Sequence, residues 1–181
     1  VHFPITALGP GRRIGIWFQG CSIRCPGCMS RDTWATARRK TAVSQLLQHI
    51  EPWLPDADGI TISGGEPFEQ PAALLELLEG LRRLVETNVL VDSGFPVEQL
   101  AKQHPSITAQ IDLLISEPFD VAQAVSAPLI GSANQRVTGL TERGEELWRK
   151  AEADWRDRGG KLDFVEEADG LIWIAGVPGP G

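Results

Sequence analysis

Apolar residues along this chain follow two rhythms. Short, β-branched runs at 14–18, 59–63, 88–92 and 111–116 read as buried strands. Between them, apolar residues recur at helical spacing: Val43, Leu46, Leu47 and Ile50 within 43–53, and Leu74, Leu75, Leu77, Leu78 and Leu81 within 72–85. A short helix is predicted over 97–103, ahead of His104-Pro105. Strand–helix alternation argues for a parallel sheet with right-handed crossovers. A closed eight-unit barrel typically needs ~250 residues, so the 181 present predict an α/β fold, a partial (β/α) barrel with mostly parallel strands. No repeat or linker interrupts it, and one domain over 1–181 is expected.

The last third is less regular. Residues 127–135 read as a loop, and 141–158 as a helix with a stripe of Leu140, Leu147, Trp148, Ala151 and Trp155. Trp148 and Trp155 stand a heptad apart, which suits core packing. Two short strands at 162–165 and 171–175, joined through Glu166-Glu167-Ala168-Asp169-Gly170, predict a hairpin closing the sheet. Residues 177–181 are expected to be a frayed tail or a cut end.

Ligands of parallel α/β folds gather at the C-terminal ends of strands. Each predicted strand here exits into a distinctive segment: the cysteine loop after 14–18, Gly64-Gly65-Glu66-Pro67 after 59–63, Ser93-Gly94 after 88–92, and Glu117-Pro118-Phe119 after 111–116. One rim collects them all.

The three cysteines, Cys21, Cys25 and Cys28, fall within eight residues. Thiolates so close in sequence can converge on one inorganic cluster, and cysteine is the usual ligand of iron–sulfur clusters. Three thiolates on a four-iron cube leave one iron open to a substrate or cofactor. A structural zinc site wants four ligands, and His2, His49 and His104 are scattered. A redox Cys-x-x-Cys would not need Cys21. A disulfide scaffold would leave one thiol over, in a chain long enough to bury a core without staples. The iron–sulfur reading is preferred, with zinc as the alternative.

In Gly64-Gly65-Glu66-Pro67, glycines at a strand end let backbone approach a ligand, Glu66 offers a carboxylate, and Pro67 fixes the exit. Alone, the segment would be an ordinary turn before a helix. It begins 36 residues beyond Cys28, and Cys-x3-Cys-x2-Cys followed by such a turn resembles the radical S-adenosylmethionine (radical SAM) enzymes.

Within that superfamily the chain is most similar to the anaerobic ribonucleotide reductase activating enzymes and their relative, pyruvate formate-lyase activating enzyme. The resemblance is carried by Gly9-Pro10-Gly11-Arg12-Arg13, by Pro26-Gly27 between the last two cysteines, and by Asp32-Thr33-Trp34. Asp112-Leu113-Leu114-Ile115 with Pro118-Phe119, and Gly131-Ser132-Ala133-Asn134-Gln135-Arg136, extend it. The chain departs from the pattern where Asp92-Ser93-Gly94-Phe95 replaces Thr-Gly-Tyr and where Met29-Ser30 replaces His-Asn or Tyr-Asn. Gly27 takes the place of the aromatic residue many superfamily members carry, as it does in the activating-enzyme branch.

The resemblance implies a [4Fe-4S] cluster on Cys21, Cys25 and Cys28. It implies SAM met by Gly27, Met29, Ser63, Gly64, Gly65, Glu66, Pro67, Ser93, Gly94, Asn134, Gln135 and Arg136. It further implies reductive cleavage of SAM to a 5′-deoxyadenosyl radical that takes hydrogen from a glycine of a partner glycyl-radical enzyme. A small radical SAM enzyme acting on a peptide or small molecule is the alternative; a non-catalytic zinc or electron-transfer module is the alternative from another class. With no further cysteines, a second cluster is not expected.

Composition narrows the setting. No apolar run approaches the ~20 residues that span a bilayer, and the opening residues lack the basic-then-apolar pattern of a secretory signal. Val1 is not an initiator methionine, so missing or processed residues are expected before it. Reduced thiols at a cluster make the cytoplasm the expected compartment. Net charge is −7, divided unevenly. Residues 1–40 hold seven bases (Arg12, Arg13, Arg24, Arg31, Arg38, Arg39 and Lys40) against Asp32 alone. An acidic chain is a poor nucleic-acid binder. A basic rim near the cluster would steer an acidic flavodoxin or ferredoxin-like electron donor, whereas local pairing would leave only a solvated face.

Overall fold

The computed structural model describes residues 1–36, 40–166 and 170–176. Four strands, β2 (Arg13–Phe18), β3 (Gly59–Gly64), β4 (Asn88–Asp92) and β5 (Leu113–Ser116), run parallel and lie side by side in sequence order. Two four-residue strands flank them antiparallel, β1 (His2–Ile5) beside β2 and β6 (Arg136–Gly139) beside β5. The sequence pattern discloses neither, because β1 carries Pro4, which cannot donate to a ladder, and β6 has a single large apolar residue, Val137. The result is a six-stranded, mostly parallel sheet with helices between the parallel strands.

Helix α1 (Val43–Ile50) stops three residues short of the expected 53. Pro52 and Pro55 lack the amide hydrogen that would continue it, and the chain tightens into 3-10 turns over Glu51–Asp56. Helix α2 (Pro71–Leu84) opens on a proline, whose missing amide costs nothing in the first turn. Helix α3 (Val97–Gln103) is followed by a short α4 (Pro105–Thr108) that the sequence reading left out. Helix α5 (Glu142–Arg158) is capped by Thr141, whose hydroxyl accepts from the Gly144 amide at 3.1 Å.

Alternate residues of the strands serve two faces. Ile14, Ile16, Ile60, Ile62, Val89, Val91 and Leu114 pack against Ile50 of α1, the leucines of α2, and Leu100. Leu90, Leu113 and Ile115 point the other way and meet Leu147 and Trp148 of α5. Because α5 covers only part of that second face, room remains beside it at the C-terminal strand ends.

Three expectations change. Strands β7 (Leu162–Glu166) and β8 (Ile172–Gly176) do pair antiparallel, but as a separate two-stranded sheet that adds no strand to the main one. Side chains attach it instead: Asp163 accepts from the amides of Thr6 (2.6 Å) and Ala7 (2.7 Å), and Trp173 packs on His2 and Trp17. Ile111 and Asp112 precede β5 rather than opening it. The Asp112 carboxylate takes hydrogen bonds from the Val89 amide, Arg82 and the Thr141 hydroxyl. Arg13, counted with the basic rim, is fully buried; its guanidinium donates to the Thr61 hydroxyl, the Ile60 carbonyl and Asn88. Arg38 and Arg39, the linker positions 167–169 and the tail at 177–181 lie outside the described residues. Among the described residues no helix is long and apolar enough to cross a membrane.

Candidate functional site

A cavity of about 290 Å³ opens where the parallel strands end. Its floor is the second face of the sheet, read off in steps of two: Trp17 from β2, Ser63 from β3, Leu90 and Asp92 from β4, Ile115 from β5 and Glu117 just beyond. The cysteine loop forms one wall. Residues 124–135 and the end of β8 (Ile174 to Gly176) form the other.

Most predicted site residues meet here. Cys21, Cys25, Cys28, Gly27, Met29, Ser63, Gly64, Gly65, Glu66, Ser93, Gly94 and Gln135 all line the cavity. Pro67, Asn134 and Arg136 do not line it. Pro67 is buried in the turn leading to α2. The Asn134 amide donates to the Pro118 carbonyl, and Arg136 pairs with Glu98 and Glu117. These two side chains brace the exit of β5 from behind. Glu117 has a left-handed backbone (φ 81°) and needs such support. The Gln135 side chain accepts from the Gly131 and Ser132 amides, which ties that loop to the cavity wall.

The cysteine loop is held by the turn after β3. Gly65 donates its amide to the Phe18 carbonyl and Glu66 to the Gly20 carbonyl, both at 2.8 Å. The glycines are required by this contact. A Cβ on Gly64 would stand 2.5 Å from the Phe18 carbonyl oxygen, and one on Gly65 would collide with the carbonyl of Gly20. Within the loop, Cys28 donates its amide to the Cys25 carbonyl around Gly27, whose φ of 79° suits glycine. A Cβ on Gly27 would press against Phe119 and Val121 at 3.3 Å.

All three thiols are free of disulfides. Burial pushes the Cys25 thiol pKa up, against a backbone hydrogen bond from Phe119 that favours the thiolate. Among the described residues no three His, Cys, Asp or Glu side chains converge closely enough to hold a single metal ion. Three free thiols on one loop, all lining the cavity, are a donor set that suits a four-iron cube with one corner open to a ligand.

Two carboxylates on the cavity are perturbed. Glu66 is 1% exposed and accepts from the amides of Phe68 (3.0 Å) and Gly94 (2.7 Å) and from the Ser93 hydroxyl (2.9 Å). Burial outweighs these bonds and raises its pKa to about 6. Its carboxylate therefore joins the ends of β3 and β4, a use the sequence reading did not foresee. Asp92 is likewise raised to about 6 by burial, against a hydrogen bond from Ser63 and the field of Arg13. Asp92 and Glu117, which belong to segments named on the rim, were absent from the expected SAM contacts, although the period-two pattern of β4 and β5 places both on the face of Leu90 and Ile115.

Residues 7–138 match the family described as "4Fe-4S single cluster domain". An anaerobic ribonucleoside-triphosphate reductase-activating protein of Vibrio cholerae is 27% identical over 150 residues, covering 77% of this chain and 96% of that relative. Pyruvate formate-lyase-activating enzymes of Clostridium pasteurianum (36% over 89 residues) and Staphylococcus aureus (37% over 83) match 44% and 42% of this chain. The chain spans 37% and 33% of the length of those two relatives.

Proposed function

Because this chain belongs to the 4Fe-4S single cluster domain family, we propose that it is a radical SAM enzyme of the activating-enzyme type. The observation that carries the proposal is the meeting of three free thiols with the Gly64-Gly65-Glu66 turn on one cavity at the C-terminal ends of parallel strands. Cys21, Cys25 and Cys28 would hold a [4Fe-4S] cluster, and SAM would take the adjoining space. When bound, cluster and SAM supply methionine and a 5′-deoxyadenosyl radical by one-electron cleavage of a carbon–sulfur bond.

The chain's own residues orient and enclose. Leu90, Ile115 and Leu129 make part of the lining apolar, which would limit water beside a reactive intermediate. Ser63 and Asp92 on the floor and Gln135 on the wall are polar groups that would orient a ligand, and Glu66 fixes the β3 and β4 exits against each other. We read the sheet as a partial (β/α) barrel, within one domain, left open on the side of the cavity. The substrate is a backbone glycine of a glycyl-radical partner, an assignment supported by the names of the relatives. A flavodoxin or ferredoxin-like protein in the cytoplasm would supply the electron.

Anaerobic reconstitution with iron and sulfide, then dithionite and SAM, tests this. The expected products are 5′-deoxyadenosine and methionine, formed slowly alone. An anaerobic ribonucleotide reductase from the same cell should speed the reaction and gain a glycyl radical visible by electron paramagnetic resonance. Changing any of the three cysteines to Ala should abolish both iron binding and product. Absence of 5′-deoxyadenosine from a fully loaded protein would overturn the enzyme reading. Fast turnover with a small molecule or peptide, and no radical stored on a protein, would overturn the activating role.

A further inference from the structure

Resting on that reading, we infer that Glu69 is a positioning residue for the cluster loop, acting through Ser22, and that its charge holds the cluster's reduction potential down. The loop hangs from both sides as far as Cys21. Gly20 and Cys21 donate their amides to the carbonyls of Thr33 (2.7 Å) and Trp34 (3.1 Å), while Gln70 donates its side-chain amide to the Gln19 carbonyl at 2.9 Å. Immediately past Cys21 the support changes. The Ser22 amide donates to both carboxylate oxygens of Glu69, at 2.9 and 3.2 Å, and the Ser22 hydroxyl donates to one of them. Two donors on one residue, gripped by one carboxylate, fix the direction in which the chain leaves Cys21. Two residues on, Arg24 adopts a left-handed backbone (φ 51°), so the exit direction is not left to local preference.

Glu69 is itself held. It ends the 3-10 turn Pro67–Glu69, which Glu66 caps, and its amide donates to the Glu66 carbonyl at 3.1 Å. The clamp therefore passes from the buried end of β3 to the residue beside the first thiolate.

Two electronic effects follow, with the same sign. A carboxylate bonded to the residue beside a cluster ligand disfavours adding an electron. Commitment of the Ser22 amide to Glu69 also withholds a donor from the cluster's sulfurs, where hydrogen bonds and local charge set the potential.

The test compares wild-type, Glu69→Gln and Glu69→Ala proteins, each reconstituted with iron and sulfide and without SAM. Iron per chain, melting temperature of the iron-free protein, and midpoint potential by visible spectroelectrochemistry are measured. Glu69→Gln keeps an acceptor but loses the charge. It should bind iron as the wild type does and show a reduced-to-oxidised ratio roughly 3- to 30-fold higher at the same poise. Glu69→Ala, which also frees the Ser22 amide, should show a shift in the same direction and at least as large, and should lose iron to a chelator several-fold faster. Unchanged potentials in both variants, or a lowered melting temperature as the sole effect, would overturn the inference. Failure of the wild type to take up a four-iron cluster would instead sink the functional reading, and this inference with it.

Discussion

Glu66 accepts three hydrogen bonds while 1% exposed, yet its pKa stands near 6 because burial penalises the charge more than the bonds relieve it. The folded protein therefore binds this proton more tightly than the unfolded chain does. Stability from this group is fully present below about pH 4.5, declines as pH rises through about 6, and is then flat at its lowest. The span is on the order of 2 kcal/mol. Glu66→Gln should remove that slope, measured as the difference between wild-type and variant urea unfolding at pH 4.5, 5.5 and 7. An unchanged difference across the series would mean that the buried carboxylate is not what titrates. Asp92, raised for the same reason, adds a slope of the same sign, so the variant flattens the curve only in part.

At the scale of elements, the turn after β3 and the cysteine loop behave as one unit. Glycine in the Gly-Gly-Glu-Pro segment suggests backbone approaching a ligand, but the direction in which a Cβ would point shows backbone approaching backbone. Gly65→Ala would drive its methyl into the Gly20 carbonyl and separate two carbonyl–amide pairs, Gly65 with Phe18 and Glu66 with Gly20. Overpacking of this kind costs about 1–3 kcal/mol. The expected outcome is lower thermal stability together with lower iron content per chain after reconstitution. A variant that binds iron normally and loses only SAM affinity would place the role of Gly65 at the ligand instead.

At the scale of the whole molecule, the hairpin of β7 and β8 closes one wall of the cavity without joining the main sheet. Its inward residues, Asp163 and Trp173, hold it; its outward residues include Phe164, which is 66% exposed. A single carboxylate thus takes bonds from two amides and the Thr6 hydroxyl at the opposite end of the chain. Asp163→Ala should cost about 1–3 kcal/mol by leaving those donors without partners. Limited proteolysis followed by mass spectrometry should then show faster cleavage near the hairpin than in the wild type. Equal rates would assign the attachment to Trp173 alone.

The sequence by itself determined the parts that local chemistry dictates. Three thiols in eight residues need no fold to bring them together, and strands at 59–63 and 88–92 and helices at 97–103 and 141–158 follow from period and composition. Their order also placed the functional segments on one rim, since parallel strands all end on the same side. Only tertiary structure decided the rest, because it depends on partners distant in sequence. Edge strands β1 and β6 exist through pairing, not through their four-residue patterns. Arg13 left the surface because Thr61 and Asn88, 48 and 75 residues away, receive its guanidinium. Asn134 and Arg136 turned from the cavity to brace Pro118 and Glu117. Glu69 reached Ser22 across 47 residues, a contact that no spacing in the sequence encodes.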